Sequence, residues 1–420
     1  MEYTYIKGEC YDLHIGKNNK FKTNRITIKF LNYLTKENRT KRVLIPNVLK
    51  SGTNIYSSKI ELIKKLEELY GMDLICSSNR YGNCSLIEFS ISYIDKQYIG
   101  IDLTNEALDI LKEIIFHPIQ SNNHFKKKIV DEEKRLLFDT LQNMFEDKNN
   151  LAIYNFNKIM FKGENASIEE FGKISDLQKI NEKNLFIEYQ NMLNNDMVDI
   201  IVDGNFDFDI KNQIREKFPF IKRNTVINPS LDEVKKIKKI KKVIEYDDIE
   251  QAKLILGYRI NLSNNPKDFY TQVVFQTILS DSPNSKLFIN LREKNSLCYM
   301  IELLLSTNLN YGIVFSLIDW NNYDLVVSSI QKCIDEIKNG EFFEKDIKDA
   351  ILLIKNDIYE QVDVPSCLSQ ECYNKKLYNR SLDLKEIFDT YDSITKDDVI
   401  NFSKKINLDT IYMLRGYNNE

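Results

Sequence analysis

Histidine is almost missing from this chain. Three occur in 420 residues, His14, His117 and His124, and no two stand four apart. Two imidazoles share a helix face, and hence a metal ion, most readily at that four-residue step. His117 and His124 lie seven apart with Pro118 between them, so both are expected to be structural. No stretch of eighteen apolar residues occurs, which leaves no candidate for a membrane span. Glycine numbers only thirteen, and G-x-G-x-x-G, G-x-x-x-x-G-K and G-x-S-x-G are all absent. The phosphate cradles and the nucleophile elbow that those patterns build are therefore excluded. The seven cysteines are scattered, none forms C-x-x-C, and Cys367 and Cys372 lack a second pair at zinc spacing. No metal is assigned to them. A basic surplus is missing as well, with 58 Lys and Arg against 62 Asp and Glu and a net charge of −4, so no nucleic-acid partner is expected. The segment MEYTYIKGECYDLHIGKNNK carries acids and no apolar stretch of the signal-peptide kind, so a cytoplasmic location with reduced thiols is expected.

What is present is a globular composition, 43% hydrophobic and 29% charged, enough for one or two cores. Apolar periods of 2 and 3.6 residues alternate along the chain. They predict strands at 24–33, 85–93 and 197–203, and helices at 58–70, 104–115, 122–145 and 182–192, with Thr104 as a cap. The helix at 58–70 is expected to bury Ile60, Ile63, Leu66 and Leu69 or Tyr70, with Gly71 ending it. A change of composition follows at 223–242, where KKIKKIKK reads as a solvated linker or its edge strand. A polybasic membrane patch is the other reading, opposed by the acids at 245–250. Beyond it, strands are predicted at 252–261, 297–305, 311–318 and 410–415. Helices are predicted at 266–279, 285–294, 324–338, 343–361 and from Thr395, whose capping-box partner is Asp398. The fold expected is α+β, two similar domains, each a mixed or antiparallel sheet packed against helices. They would occupy residues 1–222 and 246–420, joined by a charged linker at 223–245.

Two places carry candidate chemistry. Arg292 and Tyr299 stand seven apart, across a helix end and a strand start, where a guanidinium fork and a phenol could clamp a peptide and stabilise developing negative charge. The alternation Leu297, Tyr299, Ile301, Leu303 fits a second reading, with Tyr299 in the core and Arg292 a surface partner of Glu293 or another acid. The cluster Asp131-Glu132-Glu133 is either an acid/base group or, as such runs usually are, a solvated face.

Ser282-Pro283 followed by SKLFINLREKNSLCY at 285–299 resembles the C-terminal-half signature of the pitrilysin/insulinase (inverzincin) zinc peptidases. Glu250-Gln251-Ala252 and Gly257 resemble what precedes that signature. In the first half, Lys20–Asn24, Gly52-Thr53 and Leu66–Gly71 resemble a non-catalytic, YmfF-like bacterial branch of the family. The family's zinc motif, H-x-x-E-H, sits on a helix and ends before a Gly-Thr. Counting back from Gly52-Thr53 puts Val43, Pro46 and Asn47 in its three positions, and the downstream glutamate ligand near Asp139 or Thr140. Val43 cannot bind a metal and Pro46 supplies no base. The resemblance thus implies a chain that cleaves nothing by itself and carries no cofactor. It would be the non-catalytic, substrate-positioning subunit of a heterodimer, a partner chain bearing H-x-x-E-H would bring the zinc, and Arg292 and Tyr299 would hold the peptide there. A scaffold or peptide-binding protein that keeps the fold without a proteolytic role is the alternative.

Overall fold

The computed structural model of the chain describes residues 3–417 apart from 207–208, 224, 228, 230–233, 263–264 and 307–308, so part of the expected linker lies outside the described residues. The chain divides into two units. One gathers Met1–Asn143, Ile168–Pro229 and Val364–Leu377, and the other Met144–Ser167, Ser230–Asp363 and Tyr378–Glu420. The units are thus not the contiguous stretches 1–222 and 246–420. Each half of the chain lends one helical segment to the unit built mainly from the other half.

The first unit is built on a six-stranded mixed sheet in the order Tyr3–Ile6, Asp12–Lys17, Met197–Gly204, Thr23–Tyr33, Cys84–Ile94, Asp73–Tyr81. Only the Asp12–Lys17 and Met197–Gly204 pairing is parallel. The alternation in Thr23–Tyr33 decides what each face of the sheet receives. Ile26, Ile28 and Phe30 are fully buried. Thr27, Lys29 and Leu31 point to the opposite face, where Lys29 Nζ donates to Gln370 Oε1 at 2.7 Å and Leu31 joins a cluster with Tyr373. That face is covered by the helix Pro365–Tyr378, which comes from the far end of the sequence.

The second unit repeats the plan. Its five-stranded sheet runs Cys298–Ser306, Tyr311–Ile318, Ala252–Ile260, Ile406–Arg415, Lys241–Tyr246, with only the last pairing parallel. The Lys-rich stretch therefore ends in an edge strand. Leu254, Leu256 and Tyr258 pack on Val274 and Phe275 of the helix Pro266–Gln276. On the other face Ile255 joins Phe156 and Met160 of the helix Lys148–Met160, which comes from the first half of the chain. Gly257 is where that helix comes nearest, since a Cβ there would lie 2.4 Å from Phe156 Cζ and 2.5 Å from Met160 Sδ.

Three local expectations change. The helix Lys59–Glu68 has its N-cap at Ser58, whose hydroxyl accepts from Glu61 N. Its apolar stripe, however, lies open: Ile60 is 66% and Ile63 52% exposed, and the helix is anchored by Leu62 at 3%. Thr104 is the first helical residue rather than the cap, and its hydroxyl pairs with Tyr93 Oη at 2.8 Å. The helix predicted at 285–294 contains a π-helical stretch, Phe288–Glu293, and a second one, Thr277–Asp281, follows Pro266–Gln276. The capping box at Thr395 and Asp398 forms as expected.

Candidate functional site

Arg292 lies in the π-helical stretch Phe288–Glu293, a rare conformation that is frequent at functional sites. Its guanidinium lies 5.0 Å from the centroid of the Phe288 ring. The chain then turns through Ser296 at φ 50°, and Leu297 N donates to Leu291 O at 2.8 Å, tying strand start to helix end. Cys298 pairs with Ile318 and Met300 with Leu317, so Tyr299 is the extra residue of a β-bulge on an edge strand. A bulge re-aims a side chain, and here Tyr299 is 70% exposed while Leu297 and Leu303 are buried. The core reading of Tyr299 fails on that number. The surface ion-pair reading of Arg292 fails too, because Arg292 pairs with neither Glu293 nor another acid among the described residues.

The three replaced motif positions lie on the helix Arg39–Leu49. Pro46 is buried, and Val43 and Asn47 are half-buried on one stripe of the helix, with Ser51 in the turn just beyond its end. Ser51 Oγ stands 2.6 Å from Asn47 O and 2.8 Å from Glu133 Oε1, within reach of either acceptor. Glu133 is 4% exposed and forms an ion pair with Lys59. It was hidden in the sequence as one acid of three. Asp131 and Glu132 are the solvated face, with Asp131 paired to Lys127 at 2.6 Å. The carboxylate turned towards the motif helix is therefore Glu133. Asp139 and Thr140 are exposed, Asp139 lying 3.9 Å from Arg135 and Thr140 Oγ1 donating to Leu136 O at 2.9 Å. An alkyl group, an imino ring, a carboxamide and one carboxylate already tied to an ammonium do not make a zinc site. Among the described residues no three His, Cys, Asp or Glu side chains could hold a metal ion together.

A second cluster in the first unit has the outline of a nucleophile, base and orienter. Cys372 Sγ stands 3.5 Å from His14 Nδ1, and His14 Nε2 stands 2.8 Å from Asp199 Oδ1. All three are buried, Asp199 also accepts from Lys376 Nζ at 2.6 Å, and burial pushes the thiol far up, away from thiolate. The cluster pins the helix Pro365–Tyr378 to the sheet. Its neighbour Asp203 accepts from Tyr3 Oη and Ser369 Oγ. Burial outweighs those two donors and pushes the Asp203 carboxyl up to about 6.

The folded state holds the Asp203 proton longer than the unfolded chain, whose value is near 3.8. Stability from this group is thus complete in acid and is lost as pH rises through about 6, by about 3 kcal/mol. Carboxylates held low, such as Asp12 under Lys376 and Tyr5, act in the opposite sense. The expected result is therefore a difference. Between pH 4 and 7 the denaturation midpoint of the native protein falls relative to that of Asp203→Asn, and a constant offset would contradict it.

The profile described as Peptidase M16 inactive domain matches residues 180–353. A "Probable inactive metalloprotease YmfF" from Bacillus subtilis (strain 168) is 31% identical over 408 residues, covering 96% of this chain and 95% of its own length. A solved conserved protein from Enterococcus faecalis V583 has a TM-score of 0.91 at 26% identity, with both chains fully covered. A solved peptidase M16 inactive domain from Pseudomonas fluorescens has a TM-score of 0.79 at 14% identity, over 100% of this chain and 99% of the other.

Proposed function

Since the chain belongs to the M16 (pitrilysin/insulinase-type) peptidase family, as an inactive homologue, we propose that it is the non-catalytic, substrate-positioning subunit of a two-chain zinc peptidase in the cytoplasm. A partner bearing H-x-x-E-H supplies the zinc and the base. Arg292 and Tyr299 hold the peptide for that partner.

One observation carries the reading. Tyr299 projects into solvent from a bulge, although the two residues just before it, Leu297 and Cys298, are buried. The phenol is left 70% exposed, where it adds little to the core, and Arg292, seven residues before it, forms no ion pair among the described residues, an arrangement that burial does not account for. It suits recognition of a peptide backbone, whose carbonyls accept from both groups.

The experiment mixes the purified chain with a metal-bearing M16 companion encoded next to it. The expected result is a 1:1 complex by size exclusion, with about one zinc per pair and peptidase activity that neither chain has alone. Arg292→Ala is expected to lower turnover on the scale of a lost transition-state donor, about 10²–10³-fold, with the complex intact. Tyr299→Phe is expected to act in the same direction. A complex whose turnover ignores both substitutions would sink the assignment of Arg292 and Tyr299, and a mixture without peptidase activity would leave the scaffold reading in its place.

A further inference from the structure

We propose that the Lys59 ammonium has taken over the charge of the missing metal ion, so that the motif helix is closed against metal by a built-in cation as well as by loss of its histidines. Val43 and Asn47 share one stripe of the motif helix, and Ser51, in the turn just past its end, lies within hydrogen-bond reach of both Asn47 O and Glu133 Oε1, so that carboxylate stands at the end of the stripe. Glu133 is 4% exposed, and a carboxylate that deep needs a cation beside it. Lys59 is its ion-pair partner among the described residues.

Lys59 is also in the wrong place for its own helix. It is the first residue of Lys59–Glu68, directly after the Ser58 cap, where the positive end of the helix dipole disfavours a cation. That helix keeps only Leu62 buried. A lysine at the first helical position, on a helix with so little core contact, is explained by the carboxylate it meets. The pair then serves two ends: it compensates Glu133, and it ties an otherwise loosely held helix to Lys127–Met144. This inference stands whether or not a partner chain exists.

The test restores the motif in two backgrounds and titrates each protein with zinc chloride. Val43→His, Pro46→Glu and Asn47→His together are expected to bind zinc at least 100-fold more weakly than the same three combined with Lys59→Met. Equal affinities would overturn the proposal. The natural site gives a second reading that needs no rebuilt motif. Lys59→Met alone is expected to lower the denaturation midpoint, and adding Glu133→Gln should recover at least half of that loss. Additive losses in the double variant would also overturn it.

Discussion

Arg42→Met is expected to cost about 3–5 kcal/mol, the scale set by leaving one member of a buried ion pair alone. Arg42 is 1% exposed and Asp196 is fully buried, with Nη2 2.6 Å from Oδ2 and Nη1 3.3 Å from Oδ1. Asn32 Nδ2 donates to Asp196 Oδ1 at 2.8 Å, and Glu188 lies 3.9 Å from the guanidinium. Without Arg42 the Asp196 carboxylate keeps one neutral donor in a site with no access to water. The loss is structural in origin but bears on the site, because Arg42 stands one residue before Val43 on the motif helix. That helix already contains Pro46, which removes an internal hydrogen bond. The Arg42–Asp196 pair helps keep it seated. Denaturant titration measures the effect, and a loss below 1 kcal/mol would show that another cation replaces the guanidinium. Replacing both partners by apolar residues should recover much of the loss, since the penalty belongs to the unpaired charge.

Gly257→Val is expected to have the next largest effect, through packing alone. The Cβ position is 2.4 Å from Phe156 Cζ and 2.8 Å from Phe156 Cε2, distances at which something must shift. Phe156 is itself fully buried and cannot swing into solvent. Overpacking a filled core costs about 1–3 kcal/mol, and a branched side chain against an aromatic ring belongs at the upper end. The substitution should loosen the helix Lys148–Met160 from the second sheet, read as faster amide exchange in that helix. Phe156→Ala in the same chain should restore part of the loss. Two independent losses would mean that Gly257 serves the strand irregularity between Gly257 and Tyr258 instead.

The sequence was most legible where burial follows a simple period. Tyr311–Ile318 and Ala252–Ile260 were readable almost to the residue, because each alternates or runs apolar within one sheet. Least legible were the two helices that change units. Pro365–Tyr378 scatters its apolar residues without a regular stripe, and beside Tyr373 it docks through the polar contacts of Ser369, Gln370, Cys372 and Lys376. The helix Lys59–Glu68 misled in the opposite way, since a regular apolar stripe was present and faces outward. At the site, Arg292 and Tyr299 were visible from their motif, but the bulge that exposes Tyr299 depends on the pairing of another strand. Glu133 was out of reach, because nothing in a run of three acids says which one turns inward.

The exchange of helices between units sets an order of events during synthesis. The first unit needs Val364–Leu377, so it stays incomplete until nearly nine-tenths of the chain has left the ribosome. Until then the sheet face around Lys29, Asp203 and His14 has no helix over it, and its buried charges have no partners from Ser369, Gln370 or Lys376. The second unit already has Lys148–Met160 waiting when its strands emerge. This chain should therefore finish its first unit late, only shortly before the second, which still waits for its interior strand Ile406–Arg415, so the usual wide lead of the N-terminal unit shrinks to a few tens of residues.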